Sequence, residues 1–248
     1  MRRGAHADRW RAEAFGLAAD DYDRYRPRYP RSLIGGLVEG RHLHALDVGA
    51  GTGIASAQLR EAGAEVVAVE PDWRMARVAA DHGIAVEQAT FEDWRPAARA
   101  FDLVVFAQSF QWVEPASALE KVASILRPGG RLALLSNRIS PISPTRQHLD
   151  QAYVGCLDAS RRPEIDAAHD EELMEMIRDH GYTIERRRAS ERLHYATDAW
   201  VNMVSTYSNV VTLDDQTRSR LRSRLEDRIG AAGVDAENDA TAVICTPR

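Results

Sequence analysis

Between Leu43 and Gly53 the chain reads Leu-His-Ala-Leu-Asp-Val-Gly-Ala-Gly-Thr-Gly. A short apolar run with a carboxylate near its end passes into three glycines at alternate positions. Ile54 to Ala62 then has a helical pattern, with Gly63 as its left-handed stop. A strand that turns on glycines into a helix leaves backbone N–H groups unpaired beside the positive end of the helix dipole. It also removes the Cβ atoms that would keep a ligand away. Such a turn suits a carboxylate, a phosphate or a ribose.

Spacing separates the two families that build a turn of this kind. The dinucleotide fingerprint needs Gly-x-Gly-x-x-Gly, and counting from Gly49 the sixth position is Ile54, which disfavours a nicotinamide oxidoreductase. Here the pattern is Gly-x-Gly-x-Gly (Gly49, Gly51, Gly53), with Ala50 and Thr52 between and Asp47 two residues ahead. After the apolar run Val66–Val69 comes Glu70, then Pro71. A carboxylate ending the second strand is placed to accept both hydroxyls of a ribose. The set Leu46–Gly53 plus Val69-Glu70-Pro71 resembles the class I S-adenosylmethionine-dependent methyltransferases, in their small-molecule, methyltransferase type 11-like group. The resemblance implies a Rossmann-like α/β fold, a doubly wound, mostly parallel seven-stranded sheet with a helical insertion after strand 5. It also implies S-adenosyl-L-methionine as cofactor.

Bulk properties fit a soluble enzyme. The chain has 248 residues, 44% hydrophobic and 28% charged, enough to bury a substantial core in one embellished domain. A net charge of −5 gives no basic field for nucleic acid or an anionic membrane. Among the 32 basic residues only Lys121 is lysine, which reads as a genome composition bias. Cys156 and Cys245 form no CxxC, so neither a disulfide framework nor a metal site is indicated. The N-terminus lacks an apolar signal region, and no apolar run reaches membrane-spanning length. A cytoplasmic protein without nucleic-acid or membrane partners is expected, with room for a homodimer.

Residues 1–40 read as an N-terminal arm around Asp21-Tyr22-Asp23-Arg24-Tyr25-Arg26-Pro27-Arg28-Tyr29-Pro30, whose prolines exclude a continuous helix. It is either a surface arm with packed aromatics or a lid. Aromatic faces suit a sulfonium and an arginine suits the cofactor's amino-acid carboxylate. Family members carry a similar Tyr-x-x-Tyr-Arg-Pro-x-Tyr-Pro arm, and that match assigns Tyr25 and Arg26 as cofactor contacts. Further along, Trp73 and Met75 are candidates either for the adenine face or for the core. At Thr90-Phe91-Glu92-Asp93 the family has an acidic residue followed by a small one on the adenine edge. Thr90, Phe91 and Glu92 are the corresponding cofactor candidates, in a sequence that departs from that pattern.

Phe101–Phe106 is a near-continuous apolar run, the mark of a strand covered on both faces, and it leads into Ala107-Gln108-Ser109-Phe110-Gln111-Trp112. Ligands collect at the carboxyl ends of parallel strands, so this segment should face the transferable methyl, with Gln108 among the cofactor contacts. The Asn/Asp-Pro-Pro-aromatic motif of amino-methyltransferases is absent, and related enzymes often have His-Trp where this chain has Gln111-Trp112. The Leu-Arg-Pro-Gly-Gly-x-Leu punctuation at Leu126–Leu132 precedes a strand over Leu132–Ser136. Residues 137–180, punctuated by Pro141, Pro144 and Pro163, are read as a helical insertion over the acceptor pocket, with a helix around Thr145–Leu157. Asp170 is a candidate cap for a helix over Glu171–His180. Helices are expected at Asp198–Ser208 and Asp214–Ile229, and a last strand at Ala240–Thr246, antiparallel between the fifth and sixth.

The implied reaction is in-line displacement of a methyl group onto an O, N or C nucleophile of a small molecule, with the enzyme acting mainly by positioning. A base is needed only where the acceptor keeps its proton at neutral pH. Candidates are His148 and His194, with Gln108, Gln111 and Asn137 as orienting groups; each also has a plain structural reading. Other chemistry with the same cofactor, cyclisation or rearrangement, and a non-catalytic binding subunit are the alternatives.

Overall fold

Near-continuous apolar runs that need cover on both faces, separated by amphipathic helices, fold here into one sheet. The computed structural model describes residues 15–38, 42–157 and 171–248. The strands are β1 (His44–Val48), β2 (Glu65–Val69), β3 (Ala85–Glu87), β4 (Phe101–Ala107), β5 (Leu126–Ser143), β6 (Tyr182–Tyr195) and β7 (Val234–Pro247). Their order across the sheet is β3-β2-β1-β4-β5-β7-β6. The first five run parallel, and β7 lies antiparallel between β5 and β6. The chain therefore reverses direction across β1 and β4, the switch point where open α/β sheets open a crevice at the strands' carboxyl ends.

Local chemistry sets the helices. The described ones are α1 (Ala19–Tyr25), α2 (Arg31–Val38), α3 (Ile54–Glu61), α4 (Trp73–Asp81), α5 (Pro115–Ile125), α6 (Arg146–Asp150), α7 (Glu171–Asp179), α8 (Thr197–Ser205), α9 (Ser208–Val211) and α10 (Asp215–Ile229). Asp72, Glu114 and Asp214 cap α4, α5 and α10 by accepting main-chain N–H bonds, which satisfies donors that a helix start leaves open. No described helix is long and apolar enough to cross a membrane.

Three cores organise the molecule. Leu46, Phe106, Phe110, Leu119, Leu134, Met174 and Ile177 fill one face of the sheet under α5 and α7. Leu33, Leu37, Leu59, Val105, Leu135 and Ile244 fill the other, under α2 and α3. The third gathers Leu149, Trp200, Val204, Leu221, Leu225 and Val234 beneath α6, α8, α9 and α10.

That third core explains where the element boundaries differ from expectation. The fifth strand runs to Ser143 instead of Ser136, and the last begins at Val234 instead of Ala240, because the two pair antiparallel from Leu132↔Cys245 to Ser143↔Asp235. Each supplies the partners that the other's main chain would lack in a loop. Among the described residues of the 137–180 span, the helical elements are α6, the 3-10 turn Gln151–Tyr153 and the covering helix α7. Residues 158–170, with Pro163 and the Asp170 cap, lie outside the described residues. The 1–40 arm also divides: α2 is buried in the second core through Leu33, Ile34, Leu37 and Val38. The described arm proper is the 3-10 turn Phe15–Ala18, α1 and the extended residues 26–30.

Candidate active site

The glycine turn sits between β1 and α3 at the switch point. Gly49, Gly51 and Gly53 have φ of +65°, +58° and +83°, which L side chains rarely adopt. At Gly49 space is a second constraint, since an added Cβ would stand 2.7 Å from Ser109 Cβ. Ser109, just past β4, donates its hydroxyl to Val48 O at 2.5 Å, so β4's exit is seated directly on the turn. Gly49 and Ala50 donate to Val69 O at 2.8 and 3.2 Å, which ties the turn to the end of β2.

Glu70 completes that tie. Its carboxylate accepts from Gly51 N at 2.8 Å and from Asp72 N at 2.9 Å, so it points into the turn. Each oxygen retains acceptor capacity for a further donor. Burial, opposed by those two bonds and reinforced by the nearby charges of Asp72 and Asp47, pushes its pKa up to about 7. Asp47 lies fully buried behind the turn and accepts from Ser56 Oγ at 2.6 Å. Burial raises its pKa to about 6 despite that bond. Its other oxygen, Oδ1, and the hydroxyl of Thr52 are buried without a partner.

Met75 lies along one flank of the turn. Its Cε would meet a Cβ on Gly51 at 4.0 Å, while Ala19 and Tyr22 of α1 pack on it from the far side. Trp73 is instead 61% exposed. Past β3, Gln88 reaches Pro71 O at 3.5 Å, and Glu87 O accepts from Glu70 N at 3.2 Å. This brings residue 88 beside the Glu70 end of the cradle. Gln88 falls within Ile84–Ala89, a run that reads as strand in the sequence, so no local signal marks it as a site residue.

The structure redistributes several expected roles. Phe91 is buried edge-on to Phe106 at 5.4 Å, in the first core, so its main chain but not its ring can border a ligand. Thr90 Oγ1 bonds Asp93 Oδ2 at 2.9 Å and closes a tight turn, and Glu92 is exposed. Tyr25 packs on the third core. Arg26, expected at the cofactor's carboxylate, instead has its guanidinium between the rings of Tyr22 and Tyr207, 4.7 and 4.2 Å from their centroids. It also donates from Nε to Thr206 Oγ1 at 2.8 Å. Asn137, expected to orient the acceptor, donates to Pro27 O and Arg28 O at 3.0 and 3.1 Å, and Asn238 donates to Arg28 O at 3.1 Å. Together with the reciprocal bonds of Tyr29 to Gln58 on α3 (2.9 and 2.7 Å), these fasten the arm across the carboxyl edge of the sheet.

Phe106, Gln108, Ser109, Phe110, Gln111, Leu134 and Leu135 line a small hollow at the ends of β4 and β5, next to the glycine turn. Gln108 has φ +56° and Gln111 Nε2 donates to its carbonyl at 2.7 Å. The two histidine candidates are elsewhere. His148 is exposed with its ring 3.2 Å from Arg228 O, and His194 is exposed and pairs with Asp235 at 2.7 Å. Neither borders the hollow.

A cradle of bare main chain, a buried acid at the tip of the neighbouring strand and an antiparallel seventh strand between the fifth and sixth define a Rossmann-like, nucleoside-binding methyltransferase fold. A family model described as a methyltransferase domain matches residues 46–134. An uncharacterized methyltransferase of Mycobacterium tuberculosis is 31% identical over 238 residues, covering 93% of this chain and 91% of that protein. Malonyl-[acyl-carrier protein] O-methyltransferase of Pseudescherichia vulneris is 36% identical over 131 residues, 49% of this chain and 51% of its own. An Anaeromyxobacter dehalogenans protein provisionally assigned as a type II methyltransferase shares the fold at TM-score 0.63 and 24% identity, covering 90% of this chain and 98% of that one. The chain belongs to the class I S-adenosylmethionine-dependent methyltransferases.

The residues fit that cofactor. At Gly51 an added Cβ would meet only Met75 Cε, at 4.0 Å, so the main chain there is open to a ribose, and Glu70 has acceptor capacity for its hydroxyls. The orphaned Oδ1 of Asp47 lacks a donor, which an ammonium supplies, and two buried acids favour a cation.

Proposed function

We propose that this enzyme methylates a small-molecule acceptor, at O, N or C, presented at the carboxyl ends of β4 and β5 beside the glycine turn. S-adenosylmethionine supplies an electrophilic methyl group when bound. Under this reading Glu70 orients the ribose and Asp47 the amino-acid ammonium. The main chain of the glycine turn and Met75 bound the nucleoside, with residues 88–91 along the base. The arm, through Arg26 to Tyr29, covers the mouth and excludes water, which strengthens every charge interaction beneath it.

The observation that carries the reading is Glu70 aimed into the bare main chain of the glycine turn, which the ends of β4 and β5 flank. Among the described residues, the side chains at those strand ends are aromatic, aliphatic, hydroxyl and amide, with no histidine, lysine or carboxylate. Such side chains hold and orient a nucleophile but do not remove a proton from a weakly acidic one. Proximity alone is worth about 7–11 kcal/mol of barrier when reacting atoms are pre-aligned. The favoured acceptors therefore arrive already nucleophilic: an ionised carboxylate, phenolate or enolate, or a neutral amine. The malonyl-[acyl-carrier protein] enzyme matches only about half of this chain, so its acceptor does not transfer with the likeness.

The test is a metabolite screen for release of S-adenosylhomocysteine, followed by mass spectrometry of the product. A mass gain of one CH₂ on a small acid, phenol or amine supports the proposal. Turnover confined to proteins or nucleic acids, or a product differing by anything else, rejects it.

A further inference from the structure

Lys121 is the one lysine among 32 basic residues. Arginine fills every other basic position, so a bias of composition explains the arginines but leaves this lysine to be explained. It lies on α5, half-buried, and its Nζ donates to three main-chain carbonyls of a single turn: Phe91 O, Glu92 O at 3.2 Å and Trp94 O at 2.6 Å. The charge also stands 4.8 Å from the Phe91 ring and 5.7 Å from the Trp94 ring. An ammonium directs three donors tetrahedrally from one atom, which matches three carbonyls converging on one point. A guanidinium is longer and spreads its donors in a plane, so it cannot serve all three.

The turn so held is braced from its other end as well. Trp94 N donates to Thr90 O at 2.9 Å, Thr90 and Asp93 bond each other, and Trp94 Nε1 donates to Glu87 Oε2 at 2.6 Å. Arg99 bonds both oxygens of Glu87. The first residues of the same segment lie against the Glu70 end of the cradle through Glu87 O and Gln88. Lys121 is thus one turn removed from the Glu70 end of the cradle.

We propose that Lys121 is a positioning residue for the cofactor's base. By fixing the 90–94 turn to α5 it sets the main chain of residues 88–91 as the wall that meets the adenine edge beside Glu70. The proposal rests on the reading of Glu70 as the ribose-binding acid.

Calorimetry with S-adenosylhomocysteine and its 6-oxo analogue S-inosylhomocysteine, together with amide hydrogen exchange, tests it on the full chain. Wild type is expected to prefer the adenosyl ligand. Lys121→Met should weaken that ligand about three- to tenfold, the worth of one hydrogen bond. It should leave the inosyl ligand nearly unchanged and speed exchange at amides 90–94. Lys121→Arg should behave like the Met variant; full recovery would overturn the geometric argument. Asp93→Ala loosens the same turn from its exposed side and should erase the same preference, which keeps the test valid if Lys121→Met does not fold. Unchanged preference in either folded variant, or equal weakening of both ligands, overturns the proposal. A wild-type chain that binds neither ligand would instead overturn the reading of Glu70.

Discussion

Replacing Glu70 with glutamine should make the ligand-free protein more stable at alkaline pH while damaging its cofactor site. The carboxyl is 7% exposed, and burial moves its pKa from 4.5 to about 7. A raised folded-state pKa means that the native state prefers the protonated form. The group's stabilising contribution is therefore complete below its unfolded value and is lost as pH climbs through the folded one. Between those limits the charged carboxylate costs the native state about 1 kcal/mol at pH 5, growing to about 3 kcal/mol at pH 8. Glutamine removes that dependence. It also offers one acceptor oxygen where Glu70 uses two, for Gly51 N and Asp72 N, a loss of about 1 kcal/mol at every pH. Urea unfolding of Glu70→Gln against wild type should thus show near-equal stability at pH 5 and a gain of about 2 kcal/mol for the variant at pH 8. Saturating S-adenosylhomocysteine should reverse the order, because only the wild type gains from binding. A stability difference that stays constant across that range would refute the claim that burial governs this carboxyl.

Ligand affinity should rise with pH through about 7 and then level off, because ribose hydroxyls favour the ionised Glu70; calorimetry in buffers of different ionisation enthalpy should detect proton release, and pH-independent binding would contradict it. Gly49→Ala should cost about 3 kcal/mol, adding overpacking against Ser109 to left-handed backbone strain, whereas Gly129→Ala, at φ +78° with open space around it, should cost about 1 kcal/mol in urea melts. Asn238→Ala removes a buried donor to Arg28 O and Glu191; it should speed tryptic cleavage after Arg24 and Arg28 about tenfold, and unchanged cleavage would show that the arm is held elsewhere.

The glycine turn and its acid were legible because each is a short-range pattern. A helix can follow β1 only if the intervening residues tolerate positive φ, and Gly49, Gly51 and Gly53 announce this in five positions. Glu70 follows directly on the apolar run Val66–Val69, so its place at the strand tip follows from counting. The long ends of β5 and β7 were not legible. Pro141 reads as a loop residue, and only the facing strand decides whether such a segment finds hydrogen-bond partners.

The role of Arg26 shows the same divide most sharply. Its sequence context resembles a cofactor-binding arm, yet its partner Thr206 is 180 residues away, and no local pattern can specify a bond across that separation. Ser109 against Gly49, Asn137 and Asn238 against the arm, and Lys121 beneath the 90–94 turn are pairings of the same kind. The sequence alone determined the order of elements and the cradle, because these follow from periodicity and backbone sterics within a few residues. Tertiary packing alone decided which polar groups are left free to meet a ligand and which are consumed in holding the arm and the 90–94 turn. A buried donor or acceptor must take whatever partner the fold brings within about 3 Å.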